Sequence, residues 1–224
     1  MCAEIAALEA NGTWSLAMPP HGKRIVDCKW VFKVKFKPDG SVERYKDCLI
    51  AKGFTQVEGI DYHDTYASFA KLVTVRRLIA LAVSQNWFLH QLDVNNAFLH
   101  GDLQEEVYMR VPQGFVAPGD SRVCHLHKSI YGLRQASRNW YQKFSRALLA
   151  FEFKQSRADH SLFIHRKGVS FVAALIYVDN VILAGNDAEF IQRVKDYLHD
   201  QFTIKDLGSL NISLVLRLHV LTKA

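Results

Sequence analysis

The chain has 224 residues, of which 49% are hydrophobic and 22% charged, a composition typical of globular proteins rather than disordered ones. The longest uninterrupted apolar run, residues 171–178, is far shorter than the roughly 20 residues that a membrane helix needs. The N-terminus lacks the basic start and apolar block of a secretory signal, and the four scattered cysteines form no C-x-x-C pair. We therefore expect an intracellular protein, cytoplasmic or nuclear, that is neither secreted nor held in a membrane.

The net charge of +6 is concentrated in two segments. Residues 23–46 contain eight Lys or Arg against three Asp or Glu, and residues 128–146 contain five Lys or Arg and no acid. Each segment thus carries a net charge of +5, which favours a polyanionic partner. Two solvated basic faces remain the alternative, and charge alone does not decide between them.

The first predicted element is a β-hairpin. Residues 30–37 (WVFKVKFK) alternate apolar and basic side chains, which is the period of a half-buried strand. The turn sequence PDGS follows, and residues 42–54 form the return strand. One face of this hairpin would carry Lys33, Lys35 and Lys37.

Helices and strands then follow without strict alternation. Residues 73–86 have apolar side chains at helical spacing, and residues 88–94 (FLHQLDV) form a short strand near whose end Asp93 lies. Residues 133–151 predict an amphipathic helix, whose apolar stripe is Leu133, Ala136, Trp140, Phe144 and Leu148. Its polar side would hold Arg134, Gln135, Arg138, Gln142 and Arg146. Two apolar runs joined by a turn and a last helix at 190–201 complete an α+β pattern.

A polar pair, Asp179 and Asn180, separates the two apolar runs in the sequence LIYVDNVILAG. This pattern predicts a hairpin that lifts Asp179 to an exposed tip. If the strand that carries Asp93 is its neighbour, the two carboxylates can share Mg²⁺, which is often held by one or two carboxylates plus substrate phosphates. Such a site supports phosphoryl transfer. The alternative, that Asp and Asn are only good turn residues, is favoured for the dipeptide taken alone.

Six segments together resemble one known family. They are RYKDCLIAKGFTQVEGIDY, AKLVTVRRLIALA, QLDVNNAFLHGDLQEEVYM, SIYGLRQASRNWY, LIYVDN and IKDLG. In this order they are similar to the reverse transcriptase domain of Ty1/copia-type retrotransposons, which are abundant in plants. The resemblance implies a single domain over residues 1–224 with a right-hand polymerase fold and RNA-directed DNA polymerase activity. It places a fingers hairpin at about 23–55 and a palm core with an antiparallel sheet at about 88–111 and 129–208, with no complete thumb and no RNase H or integrase domain.

The resemblance also implies site residues. Asp93 and Asp179 match the catalytic aspartates that bind Mg²⁺, or Mn²⁺, with Asn180 beside them and the Val94 carbonyl completing the metal shell. Contacts to the incoming dNTP are implied for Phe98, as a steric gate against ribose, and for Gln135, Arg134, Lys33, Lys35 and Lys46. Contacts to an RNA or DNA template with its primer are implied for Lys37, Arg138 and Lys143. Without the motifs, Phe98 would be a core residue and the lysines solvated strand residues.

The sequence departs from the family pattern at several positions. Asn180 stands where the family has a second Asp, and Cys48 stands where the family has an Arg expected to meet the triphosphate. In the primer-gripping segment, Ile212, Ser213 and Val215 replace an aromatic pair and a glycine. These changes, and an end before any thumb, predict a degenerate, truncated element with doubtful activity. The alternatives are an inactive remnant that only binds nucleic acid and a fragment with no function.

Overall fold

The structure is a computed structural model that describes residues 1–37, 39–67, 69–116 and 119–209. Within these residues the fold is α+β, as predicted. The helices are α1 (Cys2–Ala10), α2 (Leu72–Ser84), α3 (Ala136–Ala150) and α4 (Ala188–Phe202). The strands are β1 (Trp14–Ala17), β2 (Ile25–Val26), β3 (Cys28–Phe36), β4 (Val42–Ala51), β5 (Phe88–Val94), β6 (Asp102–Arg110), β7 (Val123–Lys128), β8 (Lys154–Gln155), β9 (Leu162–Lys167), β10 (Ser170–Tyr177), β11 (Asn180–Gly185) and β12 (Ile204–Ser209).

The chain divides into two compact units. The first contains Met1–Ala67 and Phe98–Lys143, and the second contains the described residues of Ser68–Ala97 and Phe144–Ala224. Strand β6, which the resemblance implied to lie in the palm core, belongs to the first unit. The implied bounds of fingers and palm therefore stay a prediction. No helix in the described part of the chain is long and apolar enough to cross a membrane.

The first unit contains a four-stranded sheet in the order β1–β7–β6–β2. Strand β7 pairs antiparallel with β1 and β6, whereas β2 pairs parallel with β6. The core of this unit is built on α1 and this sheet, and its most buried members include Leu8, Met109, Cys124, Leu126 and Ile130. Hydrophobic periodicity did not predict this sheet, because its pairs join distant segments such as Trp14 and Leu126.

Strands β3 and β4 form the predicted hairpin, which is a two-stranded sheet of its own. The prediction that β3 is half-buried is wrong over most of its length, since Phe32 is 67% exposed and Tyr45, on β4, is 79% exposed. The core packs only against the base of the hairpin, where Leu49 and Ala51 are buried. The outer part of the hairpin therefore leaves both of its faces exposed.

Two glycines let the base of this hairpin approach the turn that precedes α3. The amide of Ala51 donates to the carbonyl oxygen of Tyr131 at 2.8 Å. A side chain on Gly132 would overlap the Ala51 carbonyl oxygen, and one on Gly53 would overlap the Gly132 carbonyl oxygen. Gly132 also has a φ of +91°, which disfavours any other residue. Glycine is therefore required at both positions for this close backbone contact.

The second unit contains a six-stranded sheet in the order β12–β5–β11–β10–β9–β8, with every neighbouring pair antiparallel. One face packs against α2 through a cluster that includes Leu78, Ala82, Leu175, Ile182 and Ala184. The alternate positions of β10 and β11, which point to the other face, are also buried. Buried strands on both faces explain why these segments read as continuous apolar runs.

The predicted helices are confirmed with small shifts of their ends. All five members of the predicted stripe on α3 are at most 5% exposed, namely Leu133, Ala136, Trp140, Phe144 and Leu148. Helix α3 begins at Ala136, so Arg134 and Gln135 precede it. Of the predicted departures from the family pattern, Ile212, Ser213 and Val215 lie outside the described residues.

Candidate metal centre and nucleic-acid interface

The β10–β11 hairpin carries Asp179 at its tip, as predicted. Tyr177 pairs with Asn180, so the two turn residues are Val178 and Asp179 rather than the polar pair Asp179 and Asn180. Asn180 is the first residue of β11 and is half-buried, while Asp179 is exposed. Val178 has a φ of +56°, which a β-branched residue rarely adopts. The prediction placed Asn180 in the turn because Asn is favoured in turns. In the structure, Asn180 instead pairs with Tyr177 as the strand residue next to the turn.

Asp93 lies directly across the sheet from this tip. Strand β11 pairs antiparallel with β5, and Asn180 is the residue opposite Asp93. The amide of Val94 donates to the carbonyl oxygen of Asp179 at 2.8 Å, which ties the turn to the end of β5. The expectation that the segments carrying Asp93 and Asp179 are neighbours in one antiparallel sheet is confirmed.

A hydrogen-bond chain runs along this end of the sheet. Gln91 donates from Nε2 to Asn180 Oδ1 at 2.8 Å, and Asn180 donates from Nδ2 to Asp179 Oδ1 at 2.9 Å. Gln91 lies two residues before Asp93 and therefore points to the same face of β5. Sequence reasoning missed Gln91, although a polar residue at this spacing from a candidate metal ligand was the available signal.

The donor set at the tip fits a hard divalent cation. Asp93 and Asp179 supply carboxylate oxygens, which Mg²⁺ prefers, and such ions take their remaining ligands from water and substrate phosphates. Within the described ranges, no three His, Cys, Asp or Glu side chains are grouped to hold a metal. Asp93 and Asp179 are therefore the two carboxylates at this end of the sheet that a metal centre would use.

The β3–β4 hairpin carries the main basic surface of the first unit. Lys33 pairs across the strands with Lys46, and Lys35 pairs with Arg44, which places these four exposed side chains on one face. We call these four residues the basic face. Like charges directly opposite each other on a sheet repel, so an anion bound to this face would relieve the repulsion. Lys37 lies just beyond β3, where its amide donates to the carbonyl oxygen of Ser41 in the turn.

Cys48 lies on the same side of the hairpin as Lys46, two residues further along β4. Its thiol is half-buried, and burial raises its pKa, an effect to which the negative charge of Glu4 adds. The side chain is therefore neutral at physiological pH. An arginine at this position would extend the basic face by one cation.

Gln135 is fully buried, contrary to its predicted place on a polar helix face. It lies in the turn before α3, where Gln56 donates from Nε2 to Gln135 Oε1 at 3.2 Å. Gln135 in turn donates from Nε2 to the carbonyl oxygen of Asp61 at 3.4 Å. The amide of Arg134 donates to Gln56 Oε1 at 2.9 Å, while the Arg134 side chain is exposed. Gln135 therefore joins the segment 56–61 to the turn before α3.

The other residues of the first unit that were predicted to contact nucleotide or nucleic acid already have partners within the unit. The Arg138 side chain is 15% exposed and pairs with Glu105 at 3.0 Å and with Asp64 at 3.8 Å. Lys143 forms an exposed ion pair with Asp102 at 2.8 Å. Phe98 is half-buried with its ring edge-on to Tyr131, at 5.1 Å between centroids. Arg138 and Lys143 are thus ion-paired within the unit, whereas no ion pair is seen for the basic face among the described residues.

Comparisons with known proteins identify the family that this arrangement belongs to. Residues 11–223 match the family described as reverse transcriptase (RNA-dependent DNA polymerase). The chain belongs to the reverse transcriptase family. The predicted resemblance to copia-type elements is confirmed as well, because the relatives below are Pol polyproteins of such transposons.

Three relatives illustrate the similarity. The retrovirus-related Pol polyprotein from transposon RE2 of Arabidopsis thaliana is 43% identical over 208 residues, which are 92% of this chain and 14% of that protein. The Pol polyprotein from transposon TNT 1-94 of Nicotiana tabacum is 41% identical over 207 residues, 92% of this chain and 16% of that protein. The transposon Ty1-NL2 Gag-Pol polyprotein of Saccharomyces cerevisiae is 28% identical over 82% of this chain. The chain therefore spans only about a seventh of the plant relatives' length.

Proposed function

We propose that this chain is the RNA-directed DNA polymerase domain of a copia-type retrotransposon, with a right-hand polymerase fold. In this proposal the six-stranded sheet is the palm and the β3–β4 hairpin belongs to the fingers. The observation that carries it is the end of the β5–β11 pair, where Asp93 faces Asn180 and Asp179 stands at the adjoining turn. Family membership supports a nucleic-acid template and primer as partners.

The proposed chemistry assigns separate roles to carboxylates and to cations. Asp93 and Asp179, with the Val94 carbonyl, would hold Mg²⁺ or Mn²⁺, which neutralises charge that develops on the transferred phosphoryl group. Lys33, Lys35 and Lys46 would bind phosphates of the incoming dNTP, and Lys37 would bind the template strand. Phe98 and Arg134 are proposed to contact the nucleotide directly.

The buried and ion-paired residues have narrower roles in this proposal. Gln135 has both ends of its amide engaged by Gln56 and Asp61, so it would act on the nucleotide by fixing the turn that carries Arg134. Arg138 and Lys143 would reach nucleic acid by exchanging Glu105 and Asp102 for phosphate. Such an exchange makes their contribution to affinity smaller than that of the basic face.

A second candidate function is nucleic-acid binding without catalysis. The four cations of the basic face are exposed, whereas Asn180 and Cys48 each remove a charge that the family pattern has. Polyanion binding depends mainly on the number of phosphates neutralised, so it would survive these two changes. Catalysis depends on charge stabilisation at the reacting phosphate, so it would not.

Primer extension on an RNA template distinguishes these functions. The unmodified chain is assayed with Mg²⁺ and with Mn²⁺, beside Asp93→Ala and Asp179→Ala variants, and primer–template binding is measured in parallel by fluorescence anisotropy. Extension that both substitutions abolish supports the polymerase function. Binding that is unchanged in both variants, with no extension by any of the three proteins, supports the second candidate for the unmodified chain. Extension restored by Asn180→Asp combined with Cys48→Arg would then assign the chain to a degenerate polymerase domain. Loss of binding in a folded protein would contradict both proposals.

A further inference from the structure

The hydrogen-bond chain at the tip can run in only one direction. The carboxylate of Asp179 accepts hydrogen bonds but cannot donate them. Asn180 must therefore turn Nδ2 toward Asp179, which leaves Oδ1 facing the side chain of Gln91. An acceptor there is satisfied only by a donor, and Gln91 supplies Nε2. Asp179 thus sets the orientation of the Asn180 amide, Gln91 supplies the donor that holds the amide in place, and Asn180 holds one oxygen of Asp179.

The other end of the Gln91 amide carries a cost in stability. Gln91 Oε1 is buried and has no hydrogen-bond partner among the described residues. A buried acceptor without a partner costs free energy, typically about 1–3 kcal/mol. A methionine of similar length would fill the same space without that cost. The favourable interaction of the Gln91 amide is therefore made by its donor, Nε2. In the described structure, the only hydrogen-bond partner of Nε2 is Asn180.

We infer that Gln91 is a positioning residue that orients Asp179 for cation binding through Asn180. Asn180 then acts as a hydrogen-bond relay, with Nδ2 directed at Asp179 and Oδ1 at Gln91. The inference rests on the proposed function, in which Asp93 and Asp179 hold the cation. It adds a residue, Gln91, on the strand opposite the hairpin, and it gives Asn180 a role that an aspartate could not fill, because a carboxylate cannot donate to Asp179.

Replacement of Gln91 by Met tests the inference with a readout that does not need catalysis. Binding of Mn²⁺ to the whole chain is followed by the loss of the free-ion signal in electron paramagnetic resonance. Removal of a hydrogen-bond partner behind a metal ligand typically weakens metal binding about 10- to 100-fold. We expect Gln91→Met to weaken Mn²⁺ binding about tenfold. The thermal unfolding midpoint should stay equal or rise, because the unpartnered acceptor is removed.

A double-mutant cycle separates the relay from independent effects. Asn180→Ala also frees Asp179, so it should weaken Mn²⁺ binding by a similar factor. If Gln91 acts only through Asn180, adding Gln91→Met to Asn180→Ala should cause no further loss of affinity. Gln192→Met on α4 is a matched control, because Gln192 is exposed and bonds only to Asp196 in the described structure. The control should bind Mn²⁺ like the unmodified chain.

The outcomes separate this inference from the proposed function. Unchanged Mn²⁺ affinity in folded Gln91→Met, with binding abolished in Asp179→Ala, would overturn the inference and leave the proposed metal centre intact. Losses that multiply in the double variant would also overturn the relay. A drop in the unfolding midpoint of Gln91→Met together with weaker binding would assign Gln91 a structural role instead, and Gln91→Leu repeats this comparison with a second apolar side chain. Mn²⁺ binding that does not depend on Asp93 and Asp179 would overturn the metal centre and, with it, the inference.

Discussion

Val178 occupies the first of the two turn positions in the hairpin that presents Asp179. Its φ of +56° costs a residue with a Cβ about 1–2 kcal/mol. Glycine is preferred at the first position of a two-residue hairpin turn when that position has a positive φ. Glycine loses about 0.5–1 kcal/mol of that gain through its larger unfolded-state entropy. We expect Val178→Gly to raise the free energy of unfolding by up to about 1 kcal/mol in urea titrations.

Val169 provides the matched control for this change. It is 92% exposed in the β9–β10 turn and has no positive φ, so Val169→Gly relieves no strain and should be neutral or slightly destabilising. If Val178→Gly destabilises the protein as much as Val169→Gly or more, the turn is not strained. A valine kept at a strained position beside Asp179 is what a functional turn predicts, since strain concentrates at such sites.

The sequence predicted which side chains lie at the tip of the hairpin, but not which hydrogen bonds they make. Asp93 and Asp179 were predicted as site residues from the resemblance of their segments to the family motifs, since the acid pattern alone favoured a simple turn. The role of Asn180 required the structure, because it depends on Gln91, a residue on another strand far away in the sequence. Gln135 was misplaced for a similar reason. Its burial comes from Gln56 and Asp61, which helical periodicity cannot reveal.

Helix α2 is held at its start by an acid from outside the helix. Asp159 accepts hydrogen bonds from the Lys71 amide at 3.2 Å and from Thr74 Oγ1 at 2.5 Å, and its other oxygen accepts from the amide and hydroxyl of Ser161. Burial alone would raise the pKa of Asp159, but the hydrogen bonds from Ser161 and Thr74 outweigh it and hold the pKa below its ordinary value of 3.8. The charged form therefore stabilises the folded state.

Asp159→Asn should cost about 2–3 kcal/mol of unfolding free energy at pH 7, since several donors lose a charged acceptor. Because the folded pKa is lowered, the contribution of Asp159 is complete above pH 4 and disappears as the pH falls through the folded pKa. The difference between the unmodified protein and Asp159→Asn should thus shrink in acid. Urea titrations at several pH values measure it, with exposed Asp200→Asn as the control. A difference that is constant down to pH 2 would contradict this account.

The opposed cations of the β3–β4 hairpin are expected to lower the stability of the fold while they strengthen binding to nucleic acid. Lys33 and Lys46 face each other across the strands, and opposed like charges cost roughly 0.2–1 kcal/mol. The double change Lys33→Ala with Lys46→Ala should therefore leave the unfolding free energy equal or slightly higher. It should also weaken primer–template binding and reduce the salt slope of log K by roughly 0.9 per lost phosphate contact. Lys154→Ala, in the second unit, is the control, and equal losses in both variants would contradict a localised basic face.

Elements with local signals were predicted well, and elements that depend on distant pairing were not. Strand β5 and the apolar stripe of α3 were predicted because their patterns lie within one short segment of sequence. The four-stranded sheet of the first unit was missed, because β1 finds its partner β7 more than a hundred residues later and β2 has only two residues. The exposed outer part of the hairpin was missed because alternation of apolar and basic residues predicts one covered face, and only the base is covered.

At the scale of the whole molecule, the two departures from the family pattern that lie within the described residues, Asn180 and Cys48, fall in different units. Asn180 lowers the negative charge beside Asp93 and Asp179, and Cys48 lowers the positive charge of the basic face. Both residues are accommodated locally, since the Asn180 amide donates to Asp179 and accepts from Gln91, and Cys48 is a half-buried neutral thiol. The expected defect is therefore in electrostatics rather than in folding.

Loss of one charged contact to a transition state typically costs about 2–4 kcal/mol, or a factor of roughly 10²–10³ in rate. We therefore expect negligible Mg²⁺-dependent primer extension by the unmodified chain. Asn180→Asp combined with Cys48→Arg should recover measurable dNTP incorporation, because each change restores a charge of the family pattern. The added carboxylate at position 180 would then replace the hydrogen bond that Asn180 donates to Asp179. Asp93→Ala in this double variant is the control and should abolish the recovered activity. Robust incorporation by the unmodified chain would contradict the expectation of a degenerate site, and it would show that Asn180 and its relay from Gln91 support catalysis without the second charge.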